Sequence, residues 1–162
     1  MSLDARTVYS IGPFINSGPI PPRAEQPTTY TIIWSVKNSF NDVENALVTA
    51  TLPIYVDWLG KISPSGEEVA FNPLTRAVAW NVGNLNGGTG YLSSPREVAF
   101  QISFLPSLSQ LGQAPALVFG PSIIGTDKFT STDVSQWKPS LTTKIDTDPI
   151  YSQIDRDERV TR

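Results

Sequence analysis

Apolar residues in this chain recur at every second position, and that period decides what it can fold into. In TTYTIIWSVKN, Tyr30, Ile32, Trp34 and Val36 alternate with Thr29, Thr31, Ser35 and Lys37. Successive side chains of an extended backbone point to opposite sides, so the stretch reads as a strand with one apolar and one polar face. Ile33 is its one exception. Ala46, Val48, Ala50 and Leu52 share a face, as do Ile54, Val56 and Trp58 beyond Pro53, which cannot donate to a ladder. Val69 with Phe71 gives a short strand. Val78, Trp80 and Val82 alternate with small or polar residues, and Val98, Phe100, Ile102 and Phe104 form the cleanest strand of all.

Turn chemistry separates these segments. Pro64, Ser65 and Gly66 suit a turn, Asn72 and Pro73 end the next strand, and NLNGGTGYLSSP is a long glycine-bearing loop. PALVFG and the stretch from Ile123 to Thr130 read as a strand pair around Gly120 and Pro121, with LTTKI closing the set. About eight strands with no crossover helix predict an all-β fold, an antiparallel two-sheet β-sandwich. Residues 1–27 read as an N-terminal strand and a proline-rich extended segment laid along the sandwich edge, with Pro13, Pro19, Pro21, Pro22 and Pro27 stiffening it. Residues 28–145 form the sandwich. Residues 146–162 hold 5 acids and 3 bases and read as a charged tail or linker.

Composition then removes functions. The chain has neither Cys nor His, so disulfides, thiolate nucleophiles, imidazole bases and the metal sites built on them are excluded. With 12 Lys and Arg against 15 Asp and Glu, and no basic cluster, nucleic acid is not an expected partner. No apolar run approaches the ~18 residues of a membrane span, and the N-terminus carries Asp4 and Arg6 where a signal peptide needs apolar residues. A soluble chain without membrane insertion is expected.

The order of the segments carries a resemblance. TYTIIWSVKN, NALVTATLP, VDW, FNPLTRAVAWNVGNLNGG and EVAFQISF, over about residues 24 to 105, resemble the immunoglobulin-like repeat domain of unknown function found in bacterial cell-surface proteins. Trp80, Asn81, Gly83, Leu85 and Gly88 match its W-N-x-G-x-L-x-x-G-like element. The resemblance implies an immunoglobulin-like sandwich at the cell surface, serving as a non-catalytic structural or adhesive module whose partners are neighbouring domains. Two other readings stand beside it. One is a carbohydrate- or protein-binding accessory domain using its end loops; the other is a filament or appendage subunit in which the proline-rich segment or a free edge pairs with a neighbour.

Candidate chemistry is sparse. Glu67 and Glu68 are adjacent, so on a strand they face opposite ways and cannot act on one bond. NGGTG lacks the Lys and Ser/Thr of a phosphate loop. No enzymatic role and no cofactor are expected. Asp146, Asp148, Asp155, Asp157 and Glu158 offer oxygen ligands, but their spacing matches no calcium loop, so they read as solvated linker; Asp42 and Glu44 read likewise. A covalent Lys to Asn crosslink would need Lys37 inward beside Asn38, whereas the alternation points Lys37 outward. Trp34, Trp58 and Trp80 lie on apolar faces and read as core. Tyr91 in the long loop and Trp137 in DVSQWKPS, both placed outside strands, are the candidate ligand-binding residues.

Overall fold

The computed structural model describes residues 1–151 and 158–162. It contains ten strands: β1 Ser2–Val8, β2 Thr28–Lys37, β3 Val43–Thr51, β4 Val56–Ser63, β5 Glu68–Asn72, β6 Ala77–Leu85, β7 Arg96–Phe104, β8 Ala116–Asp127, β9 Thr132–Trp137 and β10 Leu141–Thr142. Sheet 1 has the order β1-β2-β7-β4, and sheet 2 the order β10-β8-β3-β6-β5 with β9 also on β8. All strand pairs are antiparallel. The fold is the immunoglobulin-like β-sandwich. Among the described residues no helix is long and apolar enough to cross a membrane.

The core is the set of inward faces that the alternation picks out. Tyr30, Ile32, Trp34 and Val36 of β2 and Val98, Phe100, Ile102 and Phe104 of β7 face Val48, Val78, Trp80 and Val82 of sheet 2, all of them buried. Trp34 meets the Phe100 ring edge-on at 4.9 Å, and Phe100 also packs on Trp58, which is only partly buried. Ile54 departs from the expected face: it is exposed in the turn before β4. PALVFG and the residues after it are one continuous strand, β8, with the irregularity at Gly120 and Pro121 absorbed as a register shift against β3. That shift lets β9 and β10 follow one another along the same edge of β8.

The proline-rich segment does not run along an edge. It crosses the outer face of sheet 1, where Ile11 and Phe14 cover Val8, Ile33 and Ala99 as a second, smaller core. Ile33, which broke the alternation, is outward-facing and buried by this cover. Asn16 fastens it, donating to Tyr9 O at 2.9 Å and Thr31 Oγ1 at 3.0 Å, and accepting from Gln101 Nε2 at 2.9 Å.

The charged C-terminal segment is likewise not simply solvated. Asp148 is fully buried against the end of β1, and Val160 packs into the main core. Val160 N–H donates to Gln113 O at 2.9 Å, Gly112 N–H donates to Val160 O at 2.8 Å, and Thr161 N–H donates to Pro22 O at 2.8 Å. Asp155 and Asp157 lie outside the described residues.

Candidate functional site

Strand registers define two ends. At the top, Lys37 pairs with Ser2 and Val43 with both Leu85 and Asp127, so the β2–β3, β6–β7 and β8–β9 connections meet there. At the base, Thr28 pairs with Phe104 and Thr51 with Ala77. Ser2 therefore sits at the top, while Thr161, bonded to Pro22, sits at the base. With β2 about ten residues long, the two ends are separated by roughly 30 Å.

The top loops are fastened to one another. Asn38 is buried, and its amide donates to Asn41 O at 2.7 Å and to the carbonyls of Leu85 and Asn86 at 3.4 Å. Gly87 N–H donates to Asp42 Oδ1 at 2.9 Å, and Lys128 N–H to Asp42 O at 2.9 Å. Asn41 reaches Asp127 at 3.0 Å. The N–H of Thr130, the Asn41 amide and the N–H of Phe129 hold the Asp127 carboxyl below its usual range. Gly87 is required by close approach, since a Cβ there would lie 1.8 Å from Phe40 O. Asn38→Ala is expected to cost about 1–3 kcal/mol, because it removes the buried amide that ties the Asn41 carbonyl to those of Leu85 and Asn86; chemical denaturation measures it, and backbone amide signals of 39–42 and 86–92 should broaden.

This scaffold presents apolar side chains outward. Phe40 is 85% exposed, Leu92 92% and Phe129 85%, with Tyr91 beside Leu92 on the same loop. These exposed side chains stand on a hydrogen-bonded platform. The base is similar: Ile54, Leu74, Leu105 and Leu108 are exposed, and a hollow of about 570 Å³ is lined by Glu25, Leu105, Pro106 and Leu108.

The two predicted site residues are both exposed but are not brought together. Tyr91 belongs to the top. Trp137 is not in a loop; it ends β9 and pairs with Ser122, five register positions down β8 from Asp127, or roughly 17 Å. Its indole lies over Gly120, where an added Cβ would meet Nε1 at 2.8 Å. Sequence reasoning missed Phe40, Leu92 and Phe129, because isolated apolar residues in loops carry no periodicity. It also missed a polar trio at the open side of the sandwich: Trp80 Nε1 donates to Glu67 Oε2 at 2.8 Å, and Arg96 reaches both Glu67 oxygens at 2.8 Å.

Other chemistry is not assembled. Asp146 pairs with Lys144 at 3.3 Å, and Asp148 is spent on backbone donors. Among the described residues no group of three or more acids could hold a metal ion. Lys37 is exposed while Asn38 is buried, so that pair is not set for a crosslink.

No protein family matches this sequence, and no curated protein is similar to it. Among solved structures the chain is similar to a variant of BcpA, the major pilin subunit of Bacillus cereus. The TM-score is 0.52 at 16% identity, over 87% of this chain and 39% of that one. It is also similar to the full-length major pilin SpaD of Corynebacterium diphtheriae, with a TM-score of 0.47 at 12% identity, over 86% of this chain and 35% of that one. The chain thus spans less than half the length of the pilins it matches, and the likeness is one of fold.

Proposed function

We propose that this chain is a structural module of a bacterial surface appendage, a filament subunit or stalk segment that stacks end to end on modules of its own kind. The observation that carries this reading is the placement of residues 2 and 161 at opposite ends, each end bearing exposed apolar side chains on ordered loops. A contact between unlike ends repeats without closing and so builds a linear array. Charge favours unlike ends. Among the described residues the top carries Asp42, Glu44, Asp127 and Asp133 against Lys37, Arg96 and Lys128, whereas the base carries Arg23, Arg76, Arg159 and Arg162 against Glu25, Asp57 and Glu158.

The likeness to a major pilin subunit supports the filament reading over adhesion or glycan capture. It also supports a setting outside the cell for a non-catalytic module, the setting that the surface-repeat resemblance implies. The proline-rich segment is not the docking element, because it is committed to sheet 1. Sedimentation velocity tests the proposal. The parent chain is expected to associate as concentration rises, and replacing Phe40, Leu92 and Phe129 by Ser should weaken association about tenfold or more with little change in Tm. A parent that stays monomeric, or a triple variant that associates equally well, would overturn it.

A further inference from the structure

We infer that the outer face of sheet 2 is a dimer surface, on which a second copy of this chain packs face to face about a two-fold axis running along β3. Sheet 1's outer face is roofed by Ile11 and Phe14. That of sheet 2 stays open, with Trp137 65%, Ile124 48% and Phe119 45% exposed. Strand register sets its residues in rows, since paired residues share a face. One row runs Trp137, Ser122, Thr49, Ala79 and Ala70 from β9 to β5, and the next runs Phe119, Thr51, Ala77 and Asn72 from β8 to β5. Neither row holds a charged side chain, which is the composition of an interface centre and not of solvated surface.

Side-chain size along these rows decides the occupant. In the order β9-β8-β3-β6-β5 the aromatic residues stand on one side of β3 and the alanines on the other. A two-fold axis parallel to β3 exchanges the sides, bringing Trp137 of one copy over Ala70 of the other, Phe119 over Ala77, and Thr49 onto Thr49. Bulky groups meet small ones twice over, so the face is complementary to itself. Twist turns packed sheets about 30° past one another, which offsets the outer pairs and leaves Thr49 at the crossing. Ile124 comes opposite Asn81, whose amide already donates to Glu68 at 2.7 Å. The hydroxyls of Thr49 and Ser122 are likewise 3.3 Å apart and bonded to each other, so few polar groups are left to orient a sugar. Strands about 4.8 Å apart and rows about 7 Å apart give roughly 500 Å² per copy, short of the ~800 Å² of a standard interface, so the contact is weak. Its axis runs from base to top and leaves both ends free, and it does not rest on end-to-end stacking.

The test uses the ¹⁵N-labelled full chain carrying Phe40→Ser, Leu92→Ser and Phe129→Ser, which removes the apolar side chains of the top and leaves sheet 2 unchanged. As concentration rises to about 1 mM, the Thr49 and Ala79 amides and the Trp137 indole N–H should shift together, and sedimentation should show a closed dimer and no larger species. Thr49→Lys and Thr49→Glu should each weaken the dimer about tenfold or more by setting like charges on the axis, and an equimolar mixture of the two should restore it. Trp137→Ser should weaken it about tenfold with little change in Tm, since that side chain is exposed at a sheet edge. Signals that do not move with concentration, association unaffected by either Thr49 variant, or a mixture no tighter than its components would each overturn the proposal. So would shifts of the same signals on adding cellohexaose to a protein that stays monomeric, the result expected of a glycan platform.

Discussion

Replacing Trp80 by Ala is expected to cost about 3–5 kcal/mol, lowering Tm by roughly 6–20 °C for a chain of this size. Trp80 is fully buried on β6 of sheet 2, in register with Val48 of β3 on one side and Val69 of β5 on the other. Truncation opens a cavity that strand-bound neighbours cannot collapse into. It also removes the indole N–H from Glu67, whose side chain is only 13% exposed, leaving Arg96 as its remaining partner. The trio joins the two sheets, because Trp80 belongs to sheet 2 and Arg96 to sheet 1. Trp80→Phe separates the two effects: it keeps most of the volume and should cost less, about 1–3 kcal/mol for the lost hydrogen bond and remaining void. Urea unfolding with unchanged m-values is the measurement. An Ala variant as stable as the parent would mean that Trp80 is not part of the core.

Asp148→Asn is expected to destabilise by about 2–4 kcal/mol at neutral pH. Its Oδ2 accepts from Tyr9 N at 2.8 Å and Ser10 N at 2.6 Å, and its Oδ1 accepts from Ser10 Oγ, Ile150 N at 3.0 Å and Tyr151 N at 3.3 Å. The substitution aims an amide NH₂ at N–H groups and turns attraction into a clash of donors. Tyr151 also packs edge-on against Tyr9 at 5.5 Å, and Tyr9 against Tyr30 at 6.1 Å, so the carboxylate and this aromatic run secure the C-terminal segment together.

The same site makes the effect depend on pH. Burial alone raises the Asp148 carboxyl, but the bonds from Ser10, Tyr9 and Ile150 together outweigh it and hold the group below its usual 3.8. A carboxyl lowered in the folded state contributes stability that is complete above its unfolded value and is lost as pH falls through the folded one. The gap between parent and variant should therefore be full at neutral pH and narrow as pH drops below 3.8. A gap that stays constant or widens in acid would show that the charge of Asp148 is not what holds the segment.

How much could be read without the fold varies by region. The faces of β2, β6 and β7 were legible residue by residue, since each strand puts one face toward a dry core and one away from it. β9 was not, because the inward positions of this short edge strand are Val134 and the polar Gln136, too little apolar alternation to mark a strand, and its Trp137 therefore read as a loop residue. β8 looked like two strands because Gly120 and Pro121 are turn residues in most settings, and only pairing with β3 on one side and with β9 and β10 on the other carries the chain through them.

What the sequence by itself determined is the class of fold and most of its core, because period-two burial is a local property written in consecutive residues. The absence of Cys and His likewise settles which chemistries are out of reach. Tertiary structure alone decided where the proline-rich segment lies, that Asp148 is buried and not solvated, and that Phe40, Tyr91, Leu92 and Phe129 share one end while Trp137 does not. Each of these depends on contacts between residues far apart in the chain, such as Asp148 with Tyr9 or Asp42 with Gly87. Burial there is set by what another segment covers, and the pattern of neighbouring residues holds no record of that.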